Sequence, residues 1–255
     1  MTRQNPEEPE YFPEVFPRDA FPRYTWDDGM RPITLPHEVW LSETTHRDGQ
    51  QGGLPLSLDT SKRIYDILCE VTGESTAIRH AEFFPYRDSD RNALIYALER
   101  HRDGAPVEPT TWIRARREDV ELIRKIGVTE TGLLSSASDY HTFHKFGSGG
   151  RTEAAAMYLD AVAMALDHGI KPRVHLEDTT RAAPEFVSSL VEEALRIAEP
   201  YPAELQPRFR VCDTLGIGLP YDDVALPHGF VDQLLAWQAD LGLEDLDVRL
   251  RGQRA

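Results

Sequence analysis

At 255 residues, with 40% hydrophobic and 28% charged residues, the chain is long enough for one eight-stranded α/β barrel or two small domains, with a globular protein's composition. Its formal net charge of −15 argues against nucleic acid as a partner, since phosphate binding needs a clustered positive surface, and any anion site must be built locally from arginines and helix N-termini. No apolar run approaches the roughly 18 residues of a membrane span, so no membrane partner is expected.

The N-terminal sequence MTRQNPEEPEYFPEVF is acidic and proline-rich and lacks the apolar stretch of a secretory signal, which makes the cytoplasm the expected compartment. Residues 1–36 hold seven prolines together with Tyr11, Phe12, Phe16, Phe21, Tyr24 and Trp26. Proline at this density forbids regular helix and central strand. Six aromatics are too many for an ordinary disordered tail. The expectation is an extended arm lying on the barrel or on a partner subunit, hence a possible homodimer.

From residue 37 strand-like runs alternate with helical stretches. VWLSETT (39–45) precedes a helix over 58–71, AIRHAEFF (77–84) a helix over 88–101, and TTWIRAR (110–116) a helix over 118–126. ETGLLSSAS (130–138) precedes a helix over 152–169, RVHLED (173–178) one over 184–199, and RFRVCDTLG (208–216) one over 229–242. LDVRLRG (246–252) is a seventh strand. Asp59 and Thr152 read as cap signals, and Gly73, Gly127, Gly169 and Gly242 as helix stops. Cys69, in a helical pattern, and Cys212, in a strand-like run, read as small buried side chains rather than a disulfide framework.

This alternation predicts a parallel sheet with helical crossovers. The absence of GxGxxG after the first strand disfavours a dinucleotide fold. Seven strands and six helices predict a (β/α)₈ barrel that stops short of its eighth strand, spanning 37–255 after the arm.

Polar residues gather where strands end, the catalytic face of such a barrel. In ETTHRDGQQ (43–51) a carboxylate and a guanidinium adjoin: Asp48 can ligate a hard metal and Arg47 can stabilise an oxyanion. An Arg–Asp ion pair before a turn at Gly49 is the plainer alternative. Glu82 ends the second strand, His141 follows SASD after the fourth, Glu177 and Arg181 lie in HLEDTTR after the fifth, and Thr214 lies in CDTLG after the sixth. Taken singly, each reads as an ion-pair partner, a cap or a turn residue.

Together, and in this order, the segments resemble the isopropylmalate synthase, homocitrate synthase and hydroxymethylglutaryl-CoA lyase family. Its signatures are T-T-x-R-D-G-x-Q, S-x-S-D-x-H, E-D-x-x-R and D-T-x-G; AEFFPYRDSDR is similar to the branch with Re-face citrate synthases. The resemblance implies a metal-dependent condensation of an acyl-CoA, such as acetyl-CoA, with a 2-oxo acid. The same family also carries the reverse, lyase-type cleavage. By the resemblance Asp48 is a ligand of Mn²⁺, Mg²⁺ or Zn²⁺, Arg47 stabilises the enolate or alkoxide, and Glu82 stands near the metal's water shell. His141, Glu177, Arg181 and Thr214 then contact the 2-oxo acid.

The family's seventh strand carries H-x-H, two imidazoles on one strand face. Here Arg251 and Gln253 stand at those positions; arginine stays protonated and cannot ligate. The expectation is weak metal binding and impaired activity, in either a truncated enzyme or a non-catalytic remnant.

Overall fold

The computed structural model describes residues 40–216 except Leu54 and Thr76. The N-terminal arm, the helix expected over 229–242, and the seventh strand with Arg251 and Gln253 lie outside the described residues.

Six parallel strands form one sheet in sequential order: β1 (Leu41–Glu43), β2 (Ile78–Phe83), β3 (Glu108–Arg114), β4 (Glu130–Ser136), β5 (Lys171–Glu177) and β6 (Arg208–Val211). Between them run α1 (Leu58–Thr72), α2 (Asp88–Arg102), α3 (Arg117–Ile126), α4 (Asp139–Phe146), α5 (Gly150–Asp167) and α6 (Pro184–Ala198). A doubly wound sheet would reverse its order part-way; this one does not.

The sheet also curls. β2 and β6 are four strands apart, roughly 19 Å in a flat sheet. Yet Arg210 Nη1 on β6 donates to Glu82 Oε1 on β2 at 3.0 Å, a distance only a barrel-like curvature allows.

Strand alternation sorts the side chains. Ala81, Phe83, Ile113, Leu133, Val174, Leu176, Phe209 and Val211 are buried, pointing outward to the helices. Glu82, Arg173, His175 and Arg210, in the opposite register, face the barrel interior. The helices supply the matching stripes. In α1, Ser61, Tyr65, Cys69 and Thr72 are buried at helical spacing. In α6, Phe186, Val187, Leu190, Val191, Ala194 and Ala198 do the same. Tyr65 adds a hydroxyl bond to the Val107 carbonyl at 2.6 Å.

Several expectations are corrected. β1 ends at Glu43, not residue 45: the Glu43 carboxylate accepts from Thr45 N, and the chain turns into a short π-helix, Thr45–Gly49. β6 ends at Val211, not residue 216, and turns so that Gly216 takes φ +66°. The cap of α1 is Ser57, whose hydroxyl accepts from Thr60 N; Asp59 sits in the first turn. Thr152 is no cap either, since α5 begins at Gly150. Cys69 is buried, but Cys212 is only half-buried and lies beyond its strand. The helix α4 had no counterpart in the sequence reading.

Candidate functional site

Everything expected at the site among the described residues lies at or beyond the C-terminal ends of parallel strands. The π-helical turn after β1 is closed by the Gly49 N–H donating to the Thr44 carbonyl, five residues back. It packs His46 against Phe83, ring centroids 4.3 Å apart, and turns Arg47 inward. There Arg47 is 3% exposed. It donates through Nε to Glu82 Oε2 at 2.9 Å and through Nη1 to Asp48 Oδ1 at 2.5 Å. Its guanidinium lies 4.7 Å from the centre of the Trp112 ring, a cation–π stack from β3.

Below Arg47 is a buried charge network. Glu82, with 0% exposure, also accepts from Arg173 and Arg210, both at 3.0 Å. Arg173 continues to Glu130 at 3.0 Å and to Thr110. Burial alone would raise the Glu82 pKa, but the charges of Arg173, Arg210 and Arg47 outweigh it and hold the carboxyl far below the usual range. His175 responds oppositely. Burial first, then Arg210 and Arg173, push its pKa well down. Both its ring nitrogens face donors, Trp112 Nε1 at 2.9 Å and Arg173 Nε at 3.2 Å. A neutral imidazole can accept from one of the two and an imidazolium from neither, so the ring is neutral.

A second cluster joins the ends of β4 and β5. Glu177 Oε2 accepts from Ser136 Oγ at 2.6 Å and from Lys145 Nζ at 3.1 Å, with His141 Nδ1 also at 3.1 Å. Burial raises the Glu177 pKa, but the hydroxyl, the ammonium and the imidazole more than offset it, and the net shift is downward. His141 is placed by α4, whose N-cap Ser138 accepts from His141 N. Ser138 also donates to Asp178 at 2.6 Å. Asp178 is the one described non-glycine residue with positive φ, +61°. It is held there by Ser138, by Arg181, and by its own N–H donating to Thr214 Oγ1 at 2.8 Å. Asp178 thus ties together the ends of β4, β5 and β6.

The structure therefore brings Arg47, Asp48 and Glu82 into one contact chain, and His141 and Glu177 into another. Arg181 and Thr214 meet at Asp178. Trp112, Lys145, Arg173, His175 and Arg210 take part as well, and the sequence reading assigned them no role. The period-2 alternation R-F-R over 208–210 and R-V-H over 173–175 was the available signal: it sets charged side chains on one strand face and apolar ones on the other.

The HMGL-like family matches residues 38–234. The chain belongs to the HMGL-like family. It is similar to a 2-phosphinomethylmalate synthase of Streptomyces hygroscopicus, 88% identical over 89% of this chain and 52% of the relative. It is also similar to a citrate (Re)-synthase of Clostridium kluyveri, 39% identical over 88% of this chain and 49% of the relative. The chain spans about half the length of these curated relatives. A solved hydroxymethylglutaryl-CoA lyase from Pseudomonas aeruginosa superimposes with a TM-score of 0.61 at 16% identity, covering 86% of this chain and 68% of that one. That likeness shows the shared fold.

The family generally depends on a divalent metal. Asp48 is the expected ligand; its side chain is 24% exposed and its Oδ1 is bonded by Arg47. Among the described residues no group of three or more His, Cys, Asp or Glu could hold a metal ion. The described residues alone therefore do not fit a metal cage, and the remaining expected positions, 251 and 253, lie outside them. No described helix is long and apolar enough to cross a membrane.

Proposed function

We propose that this chain is the barrel of an enzyme that condenses an acyl-CoA with a 2-oxo acid. The observation that carries the reading is Arg47: a buried guanidinium at a strand's C-terminal end, stacked on Trp112 and oriented by Glu82. Fixed in this way, it can stabilise negative charge on an oxygen without reorganising. The names of the two relatives, a citrate synthase and a 2-phosphinomethylmalate synthase, support the same chemistry.

In the proposed reaction a base removes a proton from the acyl-CoA carbon next to the thioester. That carbon attacks C2 of the 2-oxo acid, a C–C bond forms, and the carbonyl π electrons move to oxygen. Arg47 stabilises the resulting alkoxide, which then takes up a proton. Water cleaves the thioester, releasing free CoA thiol and a carboxylate. Glu82 has both oxygens occupied by guanidinia, so its part is to position Arg47. His141, with its Nδ1 on Glu177, and Arg181 and Thr214 line the substrate's end of the site. Only if residues outside 40–216 completed its ligand set would Asp48 hold a divalent metal, whose chemistry would be to polarise the 2-oxo acid carbonyl.

The test is thiol release from acetyl-CoA by the full chain, with Mn²⁺ or Mg²⁺, against a panel of 2-oxo acids. Release that depends on a 2-oxo acid, at the lowered rate expected with Arg251 and Gln253 at the imidazole positions, supports the reading; equal release without one, or none even after Arg251→His and Gln253→His, overturns it.

A further inference from the structure

In the buried network below Arg47 a single carboxylate, Glu82, meets three guanidinia. The network's inner members are three guanidinia, Arg47, Arg173 and Arg210, exposed by 3%, 2% and 4%, and two carboxylates, Glu82 and Glu130, exposed by 0% and 5%. At its margins Asp48 pairs with Arg47 and Arg208 lies 3.8 Å from Glu130, adding one charge of each sign. Glu108 lies beside Glu130 at the same end of the strands, the two carboxylates 3.7 and 4.0 Å from His80 Nε2, and adds one more negative charge. The four guanidinia and four carboxylates balance in number; what is uneven is Glu82 itself, a single carboxylate that accepts from three guanidinia.

Glu82 alone does not account for this arrangement. Its Oε1 already accepts from Arg173 when Arg210 adds a second bond to the same oxygen. The other amine of Arg210, Nη2, is buried and has no hydrogen-bond partner among the described residues. A guanidinium has donors in a planar fork suited to one carboxylate or phosphorus oxyacid. Here half of that fork is used. The neutral His175 beside it is held neutral by burial and by the same arginines, which is how a site of positive potential treats a basic group.

The location gives the unused Arg210 donor a use. Arg47 and Arg210 bind the two oxygens of a single Glu82 carboxylate, through Oε2 and Oε1 respectively, so one small molecule can meet both. The relatives' product names point to the same chemistry. Removing the two acetyl-derived carbons from citrate, or from 2-phosphinomethylmalate, leaves a three-carbon 2-oxo acid skeleton with a second acid group on C3.

We propose that Arg210, braced by Arg173 through Glu82, receives a second acidic group on C3 of the 2-oxo acid, a carboxylate or a phosphinate, while Arg47 faces the reacting carbonyl. This rests on the condensation reading. Arg210 is the specificity-determining residue of the site, and Arg173 is its positioning residue.

The experiment compares oxaloacetate, with two carboxylates, and pyruvate, with one, as ligands of the full chain. Binding is read by tryptophan fluorescence, with Trp112→Phe as the control for signal origin, and turnover by thiol release from acetyl-CoA. The wild-type chain is expected to prefer oxaloacetate by at least about tenfold, the effect of one charged hydrogen bond. In Arg210→Met the preference falls to near unity through the loss of oxaloacetate binding, and Arg210→Lys keeps part of it. Because the readout is a ratio within one sample, partial misfolding of a variant does not alter it. Equal binding of both acids by the wild type, or an unchanged ratio in Arg210→Met, overturns the proposal. If pyruvate condenses and the second acid group brings no gain, the condensation reading stands without this inference. If neither acid binds and no thiol appears even after Arg251→His and Gln253→His, both fall.

Discussion

Arg47 has a charge on either side of it and a ring beneath it, and each limits its motion. Arg47→Met is expected to lower kcat about 10²–10³-fold, the effect of losing one preorganised oxyanion donor, with a smaller change in KM; steady-state kinetics of thiol release read the split. Arg47→Lys is expected to restore little, because a point ammonium cannot bond Asp48 and Glu82 in one plane. Gly132 gives a purely structural counterpart. A Cβ there would lie 2.6 Å from Trp112 Cδ1 and 2.8 Å from His175 Nε2. Gly132→Ala is therefore expected to destabilise the fold by about 1–3 kcal/mol through overpacking, seen as a lower urea midpoint at unchanged slope. At this scale the sequence pointed to Arg47 and Asp48 because they adjoin in a motif. It was silent on Trp112 and Arg210, which reach Arg47 and Glu82 only once the sheet curls.

At the scale of elements, helices α1, α2, α3, α5 and α6 were legible because each has an apolar stripe. The helix α4 was not: in DYHTFHKF only Thr142 is buried, so there is no stripe to read. It forms because Ser138 caps it, and the same serine ties it to Asp178. Ser138→Ala is expected to cost about 1 kcal/mol as a lost cap and more through the lost bond to buried Asp178. Chemical denaturation measures the sum, and the His141 ring resonances should shift in the NMR spectrum. An unchanged His141 environment would show that α4 does not depend on this cap. The ends of β1 and β6 were misjudged for a related reason. Their β-branched and apolar residues continue past the last ladder bond, while local bonds such as Thr45 N to Glu43 turn the backbone away.

For the whole molecule, parallel strand–helix alternation was legible as a barrel-type fold, since only helical crossovers join parallel neighbours. The distribution of charge was not: a net charge of −15 conceals the buried arginines gathered around Glu82, which depend on which strand face each arginine takes. Glu82 has a folded-state pKa far below its unfolded value near 4.3. Its contribution is therefore fully present above about pH 4.3 and is lost as pH falls toward the folded value. Glu82→Gln is expected to destabilise the protein at neutral pH by about 3–5 kcal/mol, as breaking one partner of a buried ion pair does. It should also flatten the fall in stability on acidification below pH ~4, which denaturation midpoints across a pH series would show; an equally steep fall in the variant would count against the network.

The central claim, that this barrel forms a carbon–carbon bond between an acyl-CoA and a 2-oxo acid, is tested most directly by ¹³C NMR of the full chain with [2-¹³C]acetyl-CoA, oxaloacetate and a divalent metal. The account predicts a new methylene signal of a tertiary hydroxy acid, appearing together with free CoA thiol and strongly reduced in Arg47→Met. A spectrum in which the label stays in acetyl-CoA even after Arg251→His and Gln253→His, or passes only to acetate, contradicts it.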